Sequence, residues 1–188
     1  MQLITNLFLI LTQNAVFAQI LGLPGLMQSA KSRRHLLLTG FLTLCFCAVN
    51  TGLLAVFRYA LPEIDSAWMT VLGILLNGLT DLAVIALLAL TKSEQVQRLV
   101  PQIHLSAFSS AVLGTMLKSG SVSFAAGFRF GLQTGAAYLL ASLMLAAVLP
   151  VLSSEKMPAS VRGWRGLLLY AGVLSLAVSA FAANAGTA

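Results

Sequence analysis

The stretch Ala67-Trp-Met-Thr-Val-Leu-Gly-Ile-Leu-Leu-Asn-Gly-Leu-Thr-Asp-Leu-Ala-Val-Ile-Ala-Leu-Leu-Ala-Leu90 decides the fold. It runs for 24 residues with one charge, Asp81, near its middle. A helix rises about 1.5 Å per residue, so ~20 apolar residues cross the hydrocarbon core of a bilayer. The stretch is long enough to span. Asp81 closes the run Asn77-Gly-Leu-Thr-Asp81. A carboxylate at that depth is costly and usually faces a bundle interior or an ion path. The competing reading is a structural aspartate bonded to Thr80, to Asn77 or to a neighbouring helix.

The rest of the chain has the same character. Apolar residues make up 59% of the 188 and charged residues 9%, with a mean hydropathy of +0.93. A soluble domain carries roughly 25% charged residues. The bilayer must therefore act as solvent for most of this surface. Five further apolar segments accompany the first: about Leu3 to Leu23, Leu36 to Phe57, Gln102 to Leu117, Phe124 to Leu152 and Gly166 to Ala183. The expected fold is all-α and integral to the membrane, a single domain over 1–188 with six transmembrane helices. The run ending at Val16, Phe17 and Ala18 loosely resembles a signal-peptide cleavage site. However, Met1 to Gln13 holds no Lys or Arg, so it reads as a retained first helix.

The net charge of +6 sits in short loops. Lys31, Arg33, Arg34, Lys92, Arg98, Lys156, Arg162 and Arg165 follow segments one, three and five, whereas Arg58, Lys118 and Arg129 fall on the other side. By the positive-inside rule the rich side is cytoplasmic and both termini lie outside. The expected location is a prokaryotic plasma membrane. No basic face with stacking aromatics suggests nucleic acid. Trp68, Trp164 and Tyr170 stand near segment ends, as interfacial aromatics do.

The segments divide into two sets of three, about 1–95 and 99–188. An odd number of spans per half inverts the second half relative to the first, a common plan in membrane transport. Each half opens on its least regular segment. Segment one carries Gln13, Asn14 and Gln19, then Gly22, Pro24 and Gly25. Segment four carries His104, Ser106, Ser109 and Ser110, then Gly114. Polar residues beside Gly or Pro predict helices one and four to be broken, with freed backbone groups facing protein or a cavity. Ordinary helices turning a few polar residues toward their neighbours are the alternative.

Four ordered stretches carry a resemblance: Asn14-Ala-Val-Phe-Ala-Gln-Ile-Leu-Gly-Leu-Pro-Gly-Leu-Met27, Ser109-Ser-Ala-Val-Leu-Gly114, Pro158-Ala-Ser-Val-Arg-Gly163 and Ala171-Gly-Val-Leu-Ser-Leu-Ala177. In this order the chain resembles the six-helix membrane subunits of Rnf-type ferredoxin:NAD oxidoreductases and of the sodium-pumping NADH:quinone reductase. The resemblance implies two inverted three-helix repeats paired with a homologous subunit of opposite topology. It also implies a two-iron cluster between the partners, each supplying two cysteines, with flavin and further iron–sulfur groups on other subunits. The chain departs from that pattern at the ligands. Pro24 and Ser110 occupy the two cysteine positions, and neither replaces a thiolate. Cys45 and Cys47 lie on segment two and diverge by roughly 200° around a helix axis, since each residue turns it by about 100°.

The chain itself is thus expected to bind no cofactor. It is read as a non-catalytic subunit of a redox-driven ion translocase, a scaffold with an ion path. Asp81, Asn14, Asn77 and His104 are the candidates for that path. Asn14 serves either unwound backbone or an ion, and His104 either relays protons or is an interfacial side chain. No phosphate-binding loop, nucleophile elbow or zinc motif appears. The alternative function is a stand-alone small transporter or channel on the same inverted scaffold, with Asp81 as its handle.

Overall fold

The computed structural model describes residues 22–30, 32–90, 97, 99–120 and 123–185, and every regular element among them is helical. In chain order these are α1 (Leu23–Ser29), α2 (Arg33–Ala60), α3 (Ser66–Leu90), α4 (Val100–Ala107), α5 (Ser110–Lys118), α6 (Phe124–Leu152) and α7 (Trp164–Ala185). Three are long and apolar enough to cross a membrane: α2, the Ala67–Leu90 part of α3, and α6. The apolar part of α7, Trp164–Ala177, is shorter. Most of segment one, with Asn14, lies outside the described residues.

α2 and α6 form the spine and pack along one another more extensively than any other pair. Gly127 lies against Thr51 and Ala55, Gly131 against Cys47 and Ala48, and Gly135 against Leu44. Gly40 on α2 lies against Leu139 and Ser142. The partners descend as α6 ascends, so the two helices are antiparallel. A methyl group at Gly127 would come within 2.6 Å of the Thr51 carbonyl oxygen, and one at Gly131 would overlap that of Cys47. Glycines four residues apart let two backbones approach closely, which is how helices associate in lipid.

Two cores flank this spine. One joins Leu26 of α1 and Ala111 of α5 to Tyr138, Ala141, Leu145 and Leu149 of α6 and Leu167 and Ala171 of α7. The other joins Ile103 and Ala107 of α4 and Val112 and Met116 of α5 to Phe46, Cys47 and Leu54 of α2 and Leu76 of α3. The short helices of one half thus seat against the long helices of the other. Outward, α3 presents Trp68, Leu75, Leu79, Leu82, Leu87 and Leu90, each more than half exposed. Lipid suits that surface and water does not.

Segment four is interrupted at Phe108 and Ser109, five or six residues ahead of Gly114. Ser109 is extended (φ −66°, ψ 135°) and its hydroxyl accepts from the Ala111 N–H at 3.3 Å, capping α5. Serine caps a helix better than glycine interrupts one, and Gly114 sits inside α5 without a break. α1 starts at Gly22 in the left-handed region (φ 79°), with a proline in its first turn. α2 begins three residues earlier than its apolar run, because Ser32 caps it by accepting from the His35 N–H at 3.2 Å. Arg33 and Arg34 are therefore helical.

α6 carries Pro150 inside its last turn. The ring removes the N–H that would bond the carbonyl four residues back. That carbonyl belongs to Ala146, and Arg33 Nε donates to it at 2.9 Å, with Arg33 Nη2 3.4 Å from the Ala147 oxygen. The loop after α6 ends at Gly163 (φ 71°), whose N–H donates to Leu152 O at 2.9 Å. Arg162 Nη2 braces the same loop on the carbonyls of Glu155 and Met157, at 2.9 and 3.0 Å.

Candidate functional site

Breaking segment four strands the Ala107 carbonyl, because the Ala111 N–H turns to the Ser109 hydroxyl instead. Asn77 Nδ2 donates to Ala107 O at 2.9 Å. Asn50 Nδ2 in turn donates to Asn77 Oδ1 at 2.6 Å. Asp81 stands one turn beyond Asn77 on the same face of α3. Its Oδ2 accepts from His104 Nδ1 of α4 at 2.5 Å. Four side chains from three helices are thereby linked around the end of one half-helix. Asn50 and Asn77 have no exposed surface, and Asp81 is 1% exposed.

Two acceptors in this cluster lack a hydrogen-bond partner among the described residues: Asp81 Oδ1 and Asn50 Oδ1. Buried polar atoms are normally satisfied, so the cluster has an unmet demand for a donor or for positive charge. It is also reached from one side. The His104 side chain is 47% exposed and lines a cleft of about 690 Å³ together with Gln28, Ser29, His35, Gln102 and Phe108. The cleft opens at the end of the bundle that carries Arg33 and Arg34.

The second feature is the contact between the start of α1 and the break in segment four. The Gly22 N–H donates to Ser110 Oγ at 2.8 Å. The Gly22 carbonyl accepts from the Leu26 N–H at 3.2 Å and from the Tyr138 hydroxyl at 3.2 Å. Both backbone groups of Gly22 are thus held by side chains of the second half. A Cβ there would strike the Tyr138 ring. Pro24 follows in the first turn of α1, so the two positions that the resemblance equates with cluster ligands, Pro24 and Ser110, both belong to this contact. A two-iron cluster does not suit it: proline offers no donor atom, and the Ser110 hydroxyl is engaged by an amide. Cys47 lies 3.8 Å from Thr115 Oγ1, and both Cys45 and Cys47 are free thiols. Among the described residues no three His, Cys, Asp or Glu side chains gather as metal ligands.

No family model matches the chain, and no curated protein matches it either.

The geometry brings Asp81, Asn77 and His104 together and adds Asn50. Asn50 was readable in the sequence as an amide inside segment two, but nothing there paired it with Asn77. The Asp81 partner is the histidine of a neighbouring helix, whereas Thr80 Oγ1 bonds the Asn77 carbonyl at 2.9 Å. Asn14 lies outside the described residues.

Proposed function

We propose that this chain is a membrane subunit of an ion-translocating electron-transport complex of the Rnf and sodium-pump type. It contributes the helical scaffold and an ion path through His104, Asp81, Asn77 and Asn50. One observation carries the reading: a buried, incompletely satisfied polar cluster built on the stranded carbonyl of a broken helix and reached by a cleft from the basic side. Broken helices supply such sites in transport proteins because freed backbone groups and buried carboxylates attract ions. The four ordered sequence stretches supply the kinship. In this reading the chain crosses a prokaryotic plasma membrane six times as two inverted repeats with both termini outside. Flavin and iron–sulfur groups reside on its partners, among them a homologous subunit of opposite topology.

The test is affinity purification of the tagged protein from its native membrane in mild detergent. Flavin- and iron-containing subunits are expected to co-purify. Recovery as a stable lone monomer sinks the assembly. The interlocked halves favour a second reading, a stand-alone transporter, because they complete a core within one chain. Liposome flux by wild type and Asp81→Asn separates the two, since only a stand-alone transporter moves ions unaided and loses that flux with the carboxylate.

A further inference from the structure

The two carboxylate oxygens of Asp81 face different surroundings. Oδ2 meets the His104 imidazole, which is half in the cleft, and Oδ1 has no partner among the described residues. With Nδ1 turned to Asp81, Nε2 is the ring nitrogen left to exchange protons with the cleft. The other titratable groups near the pair are few. From α2 come His35, which lines the same cleft, and Cys47, whose sulfur faces Thr115. α1 contributes only the uncharged Gln28 and Ser29 to the cleft. Lys118 is at the far end of α5. A buried carboxylate without compensating charge is expensive, and among the described residues His104 is the group placed to compensate it.

We propose that the Asp81–His104 pair is a proton-binding site, loaded from the cleft. This rests on the reading of the cluster as an ion path and names the ion. In the loaded state His104 is an imidazolium with a proton on each ring nitrogen, Asp81 is ionised, and the pair is neutral. In the unloaded state Nε2 has released its proton to cleft water, Nδ1–H still faces Asp81, and the pair carries one negative charge. One proton is exchanged per cycle, and no bond between heavier atoms changes. Among the described residues neither Asp81 Oδ1 nor Asn50 Oδ1 has a donor. An alkali cation would have to gather its ligands from these two oxygens and displace the His104 ring from Asp81 Oδ2.

The experiment is nitrogen NMR of histidine-labelled full-length protein in phospholipid bilayers, titrated with acid in potassium and then in sodium buffer. The His104 signals are assigned by their loss in His104→Gln and their retention in His35→Gln. The expected result is a switch of His104 between imidazolium and neutral imidazole, with Nδ1 protonated in both states. Exchanging potassium for sodium should leave the titration unchanged. In Asp81→Asn the Nδ1 proton should exchange with water at least about tenfold faster, as expected when a charge-assisted bond is lost. A His104 that stays neutral throughout overturns the proposal. So does a sodium-dependent displacement of its signals, which would make the site an alkali-cation site. The wild-type titration decides even if Asp81→Asn does not fold. No partner subunit is needed, so failure here leaves the assembly standing, and failure to co-purify partners leaves proton binding standing.

Discussion

Ser110 Oγ accepts from the Gly22 N–H at 2.8 Å, a hydrogen bond by which one half grips the backbone of the other. Removing that hydroxyl leaves an amide with no acceptor, which costs about 1–3 kcal/mol when buried. Ser110→Ala is expected to lower the unfolding temperature in detergent, whereas Ser110→Thr, which keeps the oxygen, should lose less. Gly22→Ala is expected to cost more than Ser110→Ala, since it adds a clash with Tyr138 to a left-handed backbone. The sequence made the start of α1 readable at Gly22 and Pro24, because both residues act through their own backbone. It did not make the Asp81–His104 contact readable. That bond joins residues on different helices, and only the packing of α4 against α3 brings them to one place.

At the scale of helices, the small-residue ridge of α6 sets the spacing of the spine. Gly131→Leu is expected to push α6 off α2 and to destabilise by about 1–3 kcal/mol or more, as overpacking does. Unfolding in mixed micelles measures it, and an unchanged midpoint would contradict the close contact at the Cys47 carbonyl. The four-residue spacing of Gly127, Gly131 and Gly135 is visible in the sequence, and the reading by charge and polarity passed over it. The proline and the arginine at the other end of the spine form a second pair. Arg33→Ala should cost about 1–3 kcal/mol through the unpaired Ala146 carbonyl. In a Pro150→Ala background it should cost much less, because the restored N–H then serves that carbonyl. Equal losses in both backgrounds would break the link. Segment limits taken from hydropathy fit α3 and α6 closely, since lipid contact sets both. They miss the start of α2, which a serine cap and not hydrophobicity determines.

Across the whole molecule, each half lends its short helices to the other half's core. Neither residues 1–95 nor 99–188 should resist protease alone, and the two expressed together should reassemble into a resistant form. A half that folds by itself contradicts the interlocking. Orientation has its own measurement. With Cys45 and Cys47 replaced, Glu63→Cys should react with an impermeant maleimide in intact cells, and Glu155→Cys only after permeabilisation. The reverse pattern would invert the charge argument. Composition alone made the helical class and its apolar length legible, because no other solvent suits such a chain. The contact of Gly22 with Ser110 and Tyr138 is a property of tertiary packing and has no local signature.

The glycine ridge leaves no clearance between the two central rods. With backbone pressed on backbone, neither can slide or roll past the other without collision, so the pair behaves as a fixed post. Any displacement that opens one side of the bundle and shuts the other is thrown onto the outer rods. Of its most apolar stretch, α3 has only 22% buried, against 56% for α2 and 50% for α6. α3 also holds Asp81, so the carboxylate rides on a rod less enclosed than the central pair.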